Sequence, residues 1–382
     1  ALSQMSLIGL QTIKGKKITP QYLNRLEEEL KVIKERGFSR YFVTMKAIAD
    51  KASSIQLTSP ARGSAGGSLV AYVLGITQVD PIKYGLLFSR FLRSDATDYP
   101  DIDYDVSDPF TLKELLVNEW GEDNVVPISN WNTLQLRSLI KDISKHYEIP
   151  FQEVNQVTGK MVAEAIGPAK REHGITTGMY TPTFDELMKY SSTLQAFLGK
   201  YPQVETHVRT LMGQIRSCSR HAGGLVVGEQ LNKYMPLIYS GGVRQTPWTE
   251  GQNVRHLEPM GFIKFDILGL KTLRIIEDAV TKILEKRHNR DDISFEEVKD
   301  FYDKNLHPDR IDFDNQDVYK NIFHEGKFAG TFQYTEEGVQ KFCTNVKPTS
   351  LVDLTAITST YRPGPLAAKV DRDYINAREN PE

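Results

Sequence analysis

The segment Tyr99-Pro100-Asp101-Ile102-Asp103-Tyr104-Asp105 places an aspartate at every second position among apolar and aromatic neighbours. In an extended strand successive side chains alternate between faces. This spacing therefore predicts that Asp101, Asp103 and Asp105 share one face while Ile102, Tyr104 and Val106 share the other. The apolar face has to pack on a core, which commits the chain to a sheet with one covered side. The acidic face stacks like charges roughly 7 Å apart, and such a row calls for bulk water or a hard divalent cation as compensation. Spacing alone leaves two readings open: a metal site, and a solvated acidic edge that discourages aggregation.

A chain of 382 residues is too long for one ordinary core and predicts two or three subdomains. Thr19-Pro20 followed by Tyr22, Leu23, Leu26, Leu30 and Ile33 up to Gly37 predicts a capped amphipathic helix, and a second is expected over Tyr41 to Lys51. The small residues from Arg62 to Ser68 read as a loop leading into a buried helix at Leu69 to Leu74. Apolar spacing marks further helices at Leu112 to Trp120 and Leu136 to Ile143. From Pro150 to about Ser217 a separate helical subdomain is expected, with Val204, Val208, Leu211 and Ile215 on one stripe. Strand character returns at Gly223 to Gly228 and again at Phe262 to Leu268, before a helix from about Lys271 to Lys286. Residues 290 to 382 read as a third, mostly helical region with a rigid turn at Arg362-Pro363-Gly364-Pro365.

The net charge of −2 hides an asymmetry: residues 1 to 63 hold 11 Lys+Arg against 5 acidic groups, whereas residues 95 to 125 hold 10 acidic groups and one lysine, Lys113. A polyanion could sit on the basic flank beside an acidic, metal-loaded centre. Two cysteines, Cys218 and Cys343, without zinc spacing argue against a disulfide framework or zinc site and fit a reducing cytoplasm. No apolar run approaches the roughly 18 residues that span a bilayer, and the start ALSQMSLIGL lacks a basic signal-peptide region. A first residue other than Met and an end on Asn380-Pro381-Glu382 suggest a piece of a longer chain.

On the second strand, Lys264 and Asp266 share a face opposite Ile263, Phe265 and Ile267. If this strand lies beside the aspartate strand, the acidic face gains a third carboxylate and an ammonium, a ligand set able to hold two hard metals about 4 Å apart. The ordinary reading of the same pair is a cross-strand ion pair worth little. Gly63-Ser64 with Arg62 offers open backbone N–H groups, a hydroxyl and a helix N-terminus to a triphosphate, but lacks the Lys-Ser/Thr of a Walker A motif. A flexible connection is the ordinary reading of such a loop; its value lies in falling 38 residues before Asp101. Arg90, between Phe88 and Phe91, reads either as a snorkelling side chain or as a planar fork for phosphate. His221 has no metal-ligand spacing around it and reads as structural.

Together these residues resemble the catalytic core of the C-family polymerases, the alpha subunits of bacterial replicative DNA polymerase III. The resemblance runs in order through Leu26 to Ile33 with Gly37 to Phe42, Arg62 to Ile76, Asp80-Pro81, Leu87 to Leu92, and the Pro100 to Asp105 motif. It continues through His221-Ala222-Gly223-Gly224, Lys264 to Leu270, Phe332-Gln333 with Gly338, and Tyr361 to Leu366. It implies an α+β fold with a polymerase-beta-like nucleotidyltransferase palm of mixed sheet and helices. The palm would occupy residues 1–107 and 218–289, an inserted helical thumb 108–217, and the start of helical fingers 290–382. Asp101, Asp103 and Asp266 are the implied catalytic metal ligands for two Mg²⁺ ions, with Asp105 in a supporting role. Gly63, Ser64, Arg90, Lys264 and Arg362 are the implied nucleotide contacts.

The expected reaction is template-directed transfer of a dNMP from a dNTP to a primer 3′-OH. The expected partners are primer-template DNA, with the sliding clamp and other replisome subunits reached through regions outside this chain. Two rivals stay open: a template-independent nucleotidyltransferase, and a non-catalytic DNA-binding or scaffold fragment. Val106-Ser107-Asp108 after the aspartates and Ala61 before the loop depart from the family pattern and suggest a phage-encoded or otherwise divergent member.

Overall fold

The computed structural model describes residues 1–95, 97, 99–175, 180–251 and 254–380; Pro381 and Glu382, read above as a cut end, lie outside the described residues. In chain order come α1 (Leu2–Lys14), α2 (Pro20–Glu35), α3 (Ser39–Ile55), α4 (Leu69–Val73), β1 (Asp103–Val106), α5 (Pro109–Trp120) and β2 (Val125–Thr133). Five helices follow: α6 (Leu136–His146), α7 (Phe151–Glu172), α8 (Phe184–Tyr190), α9 (Ser192–Lys200) and α10 (Pro202–Leu211). The chain continues through β3 (Ile215–Val227), β4 (Ile238–Ser240), β5 (Val243–Gln245), β6 (Lys264–Gly269), α11 (Lys271–His288) and α12 (Phe295–Asn305). It ends with α13 (Gln316–Val318), α14 (Glu337–Val346), α15 (Leu351–Thr360), α16 (Pro363–Ala367) and α17 (Val370–Glu379). The fold is α+β, a small mixed sheet among many helices. Two compact units divide it: Ala1–Asn130 with Ser219–Asp312, and Trp131–Cys218 with Phe313–Glu382.

The principal sheet has the order β1-β6-β3-β2. β1 and β6 run parallel, with Asp103 opposite Asp266, while β3 runs antiparallel to β6, with Gly224 opposite Asp266. On the outer edge of β1 the Leu57 to Ser59 segment closes the ladder, as the Ser59 N–H donates to Asp105 O and the Ser107 N–H to Leu57 O. The alternation read from the aspartate segment holds for its apolar side. Ile102, Tyr104 and Val106 are buried in one core with Phe265 and Ile267 of β6, Leu26 and Ile33 of α2, and Phe42, Met45 and Ile48 of α3. Burying each such large side chain contributes about 1.5–3 kcal/mol, so this core fixes the register that aligns the acidic face.

The strand itself is shorter than the alternation suggests and starts at Asp103. Pro100 has no N–H to give, and the Ile102 N–H donates to the Tyr41 hydroxyl at 3.2 Å instead of to a neighbouring strand. α5 starts sharply because Asp108 accepts from the Thr111 N–H and Pro109 occupies the first turn. Two strand features are absent from the helical reading of the chain, β2 and the β4–β5 hairpin, whose turn runs through Gly241 and Gly242 at positive φ.

In the second unit α6 to α10 enclose a core that includes Leu139, Ile140, Met161, Phe184, Leu194, Val204 and Val208. A capping box between Thr183 and Glu186 opens α8. Ile215, expected on the stripe of α10, is instead exposed in β3, because Gly213 at φ 79° ends the helical path after Leu211. A separate core gathers Phe328, Tyr334, Phe342, Cys343 and Ile357. The Arg362-Pro363-Gly364-Pro365 turn is the opening of the short helix α16, with Pro363 in its first turn.

Candidate active site

Parallel pairing of β1 with β6 carries Asp103 and Asp266 to the same face of adjacent strands. Asp101, two residues ahead of Asp103, joins them, and a carboxylate oxygen of each lies within 4.8 Å of those of the other two. Asp101 is exposed, Asp103 half-buried and Asp266 buried. Behind them Tyr41 stacks on Phe265 at 4.9 Å and holds the backbone between Asp101 and Asp103 through its hydroxyl. Burial raises the carboxyl pKa of both Asp101 and Asp103. The charge of Asp266 adds to it for Asp101, those of Asp101 and Asp266 for Asp103.

Lys264 donates to Asp266 Oδ2 at 2.6 Å, while Oδ1 of the same carboxylate is buried without a hydrogen-bond partner. Burial alone would lower the Lys264 pKa, but Asp266, with Asp101 and Asp103 behind it, holds it above its ordinary value. Three clustered carboxylates, two of them resisting ionisation, and an orphaned buried oxygen form an oxygen donor set that fits a hard divalent cation.

The third aspartate of the motif does something else. Asp105 is buried and receives the Arg62 guanidinium at 2.8 Å, so Arg62 braces the loop that follows it. Gly63 follows at φ 64°, and a Cβ there would stand 3.6 Å from Asp103 Oδ2, which sets the Gly63-Ser64 turn beside the carboxylates.

The helix N-terminus beyond the loop is occupied from within the protein. Glu29 of α2, fully buried, accepts from the Leu69 N–H at 2.8 Å, the Val70 N–H at 3.0 Å and the Ser68 hydroxyl at 2.9 Å. The α4 N-terminus, which the sequence reading offered to a triphosphate, is therefore already taken up by Glu29. Arg25 pairs with Glu29 and donates to both Gly67 O and Leu86 O, tying the loop to the segment that carries Arg90. Arg90 is exposed at the end of a short turn and makes no ion pair among the described residues. Arg362 belongs to the second unit, exposed at the N-cap of α16, and its assignment to the nucleotide is carried by the resemblance alone.

Three residues that matter here escaped the sequence reading. Glu29 sits in a run of three glutamates that looks solvated, yet it falls on the buried stripe with Leu26 and Ile33. Tyr41 looked like the start of a helix and is a buried brace. Lys113 of α5, the single lysine in the acidic stretch, reaches across to donate to Ala222 O at 2.8 Å.

A mixed sheet with a carboxylate trio, a lysine and a neighbouring glycine turn defines an α+β protein with an oxygen donor set that fits a divalent cation. Family comparison narrows this further. Residues 1–269 match the model of the bacterial DNA polymerase III alpha NTPase domain, and residues 272–382 that of the bacterial DNA polymerase III alpha subunit finger domain. The chain belongs to the bacterial DNA polymerase III alpha family. The DNA polymerase III subunit alpha of Aquifex aeolicus is 32% identical over 96% of this chain and 31% of its own length. The Borreliella burgdorferi subunit is 33% identical (96% and 29%) and that of Bacillus subtilis 32% (96% and 30%). The chain thus spans about a third of the length of these relatives. They are bacterial, and nothing in them supports the phage origin suggested by the motif departures. Among the described residues no helix is long and apolar enough to cross a membrane.

Proposed function

We propose that this chain carries the nucleotidyl-transfer site of a template-directed DNA polymerase of the cytoplasm. In this reading residues 1–107 and 218–289 are the palm, 108–217 the thumb, and 290–382 the start of the fingers. The observation that carries the reading is the convergence of Asp101, Asp103 and Asp266 from segments more than 160 residues apart, in a chain of this family. Asp101, Asp103 and Asp266 would hold two Mg²⁺ ions, which when bound activate the attacking primer oxygen and stabilise the leaving one.

The protein's own contribution is positioning and charge. Lys264 orients Asp266 by holding Oδ2, while Oδ1 stays buried without a hydrogen-bond partner among the described residues. The Gly63-Ser64 turn offers backbone N–H groups and a hydroxyl to the triphosphate of a dNTP, and Arg90 a guanidinium fork with no ion pair among the described residues. The Arg62–Asp105 bridge and Arg25 keep that turn in place. Such an arrangement needs no covalent intermediate on a side chain.

The test is primer extension by the complete polymerase. Asp101→Ala or Asp266→Ala is expected to abolish incorporation while primer-template binding persists, and extension by either variant would sink the assignment. Extension without template would instead favour a template-independent nucleotidyltransferase.

A further inference from the structure

We propose that Lys113 and His221 form a binding corner for the terminal phosphodiester of the primer strand, on the flank of Asp266 opposite the nucleotide turn. The proposal rests on the polymerase reading above and adds to it a site for the second substrate.

Asp266 sits between two unlike neighbours. On one side β1 brings Asp103 and, beside it, the Gly63-Ser64 turn. On the other side β3 brings the His221-Ala222-Gly223-Gly224 segment, with Gly224 in register with Asp266. The two glycines are required by close approach. A Cβ at Gly223 would lie 2.6 Å from Leu268 Cδ2 and 3.4 Å from Asp266 Oδ1, and one at Gly224 would lie 3.0 Å from His221 Nδ1.

Their backbone N–H groups both point at the histidine. His221 Nδ1 accepts from the Gly223 N–H at 3.2 Å and the Gly224 N–H at 2.7 Å, so the ring proton resides on Nε2. Burial keeps the ring neutral by lowering its pKa; Asp266 opposes this, and Lys264 and Lys113 reinforce it. His221 is therefore a neutral N–H donor held in one tautomer, and Nε2 has no partner among the described residues.

Lys113 supplies the charge. Its ammonium spends one N–H on Ala222 O, forms no ion pair among the described residues, and keeps two donors unused. Burial, with Arg220 nearby, pushes its pKa down to about 8, and Asp266 pulls the other way. A half-buried ammonium beside another cation and without a counter-ion is an unfavourable arrangement that a bound anion would relieve. Exposed Arg220 adds positive potential at the same place.

In-line displacement decides which anion. The attacking and leaving oxygens stand on opposite sides of the reacting phosphorus. With the triphosphate on the Gly63-Ser64 turn, pyrophosphate departs on the β1 flank and the primer oxygen must arrive from the β3 flank. The nearest anion behind that oxygen is the last phosphodiester of the primer, the chemistry that two ammonium N–H groups and a neutral imidazole N–H recognise.

The experiment compares wild type, Lys113→Met, Lys113→Arg and His221→Gln in the complete polymerase. Primer-template affinity is read by fluorescence anisotropy across a salt series, dNTP KM by steady-state extension, and Tm by calorimetry. Lys113→Met is expected to weaken primer-template binding about fivefold and to flatten the salt slope by about one phosphate contact, while dNTP KM stays within about twofold. His221→Gln is expected to weaken it about threefold, and Lys113→Arg to restore it. A rise in dNTP KM with unchanged primer affinity would overturn the proposal, as would a lower Tm with neither parameter moved, the signature of a plain tether to Ala222. If wild type bound primer-template without extending it, the polymerase reading would fall, and the anisotropy comparison would still decide whether this corner holds a phosphodiester.

Discussion

Replacing Asp103 by Asn removes one charge from the trio and keeps its shape. Carboxylate oxygens of the three acids lie within 4.8 Å of one another. At an effective dielectric of about 20, two like charges at that separation repel by about 3.5 kcal/mol, and in water by about 0.9 kcal/mol. Asp101 is exposed and Asp103 half-buried, so solvent screening moves each repulsion toward the lower figure, and loss of attraction to Arg62 removes part of the gain. A net stabilisation of about 1–2 kcal/mol remains for the metal-free protein, which raises the Tm of the first unit by about 2–8 °C. Calorimetry in EDTA is the assay.

Saturating Mg²⁺ should then reverse the ranking, because a cation at about 100 times its Kd stabilises wild type by about 2.7 kcal/mol and the variant hardly at all. The pH dependence supplies an internal control. A carboxyl with a raised folded-state pKa binds its proton more tightly folded than unfolded. Its penalty is thus absent at low pH and appears as pH rises through the folded value. The metal-free advantage of Asp103→Asn should accordingly be full at pH 7 and shrink as pH falls toward the carboxylate range. A variant less stable than wild type in EDTA, or one that keeps the full Mg²⁺ shift, would refute the account of the trio as a strained metal site.

Glu29→Ala leaves the first N–H groups of α4, the Ser68 hydroxyl and Arg25 without their buried acceptor, and should destabilise the first unit by about 3–5 kcal/mol in chemical denaturation. Glu29→Gln, which keeps one acceptor oxygen, should lose about half of that, and equal effects of the two would contradict the capping role. Gly67→Ala would put a Cβ 2.7 Å from Leu87 O and push apart the loop and the segment leading to Arg90. In the complete polymerase its dNTP KM should rise about tenfold with primer-template affinity unchanged, and an unchanged KM would separate Arg90 from the nucleotide.

What was readable from sequence, and what was not, follows from the range of the interactions involved. Alternation is local, so the buried face of Ile102, Tyr104 and Val106 and the shared face of Lys264 and Asp266 were visible in a few residues each. The meeting of Asp103 with Asp266 was not, because it depends on a parallel pairing across more than 160 residues that no local pattern encodes; only family resemblance supplied it. Arg62 and the helix after Ser68 show the opposite failure. A glycine-serine turn followed by a helix reads as a phosphate cradle, and the partners that engage it, Asp105 for the guanidinium and Glu29 for the helix N-terminus, come from other elements. Both partners are buried acids, and each spares the site a competing cation or donor. Arg90 and Lys113, neither of which forms an ion pair among the described residues, then keep donors with capacity to meet a phosphate. Motif membership alone is a poor guide to an available cation, since Arg62 belongs to the loop motif and is paired with Asp105, whereas Lys113 belongs to no motif and, beyond its bond to Ala222 O, forms no ion pair among the described residues.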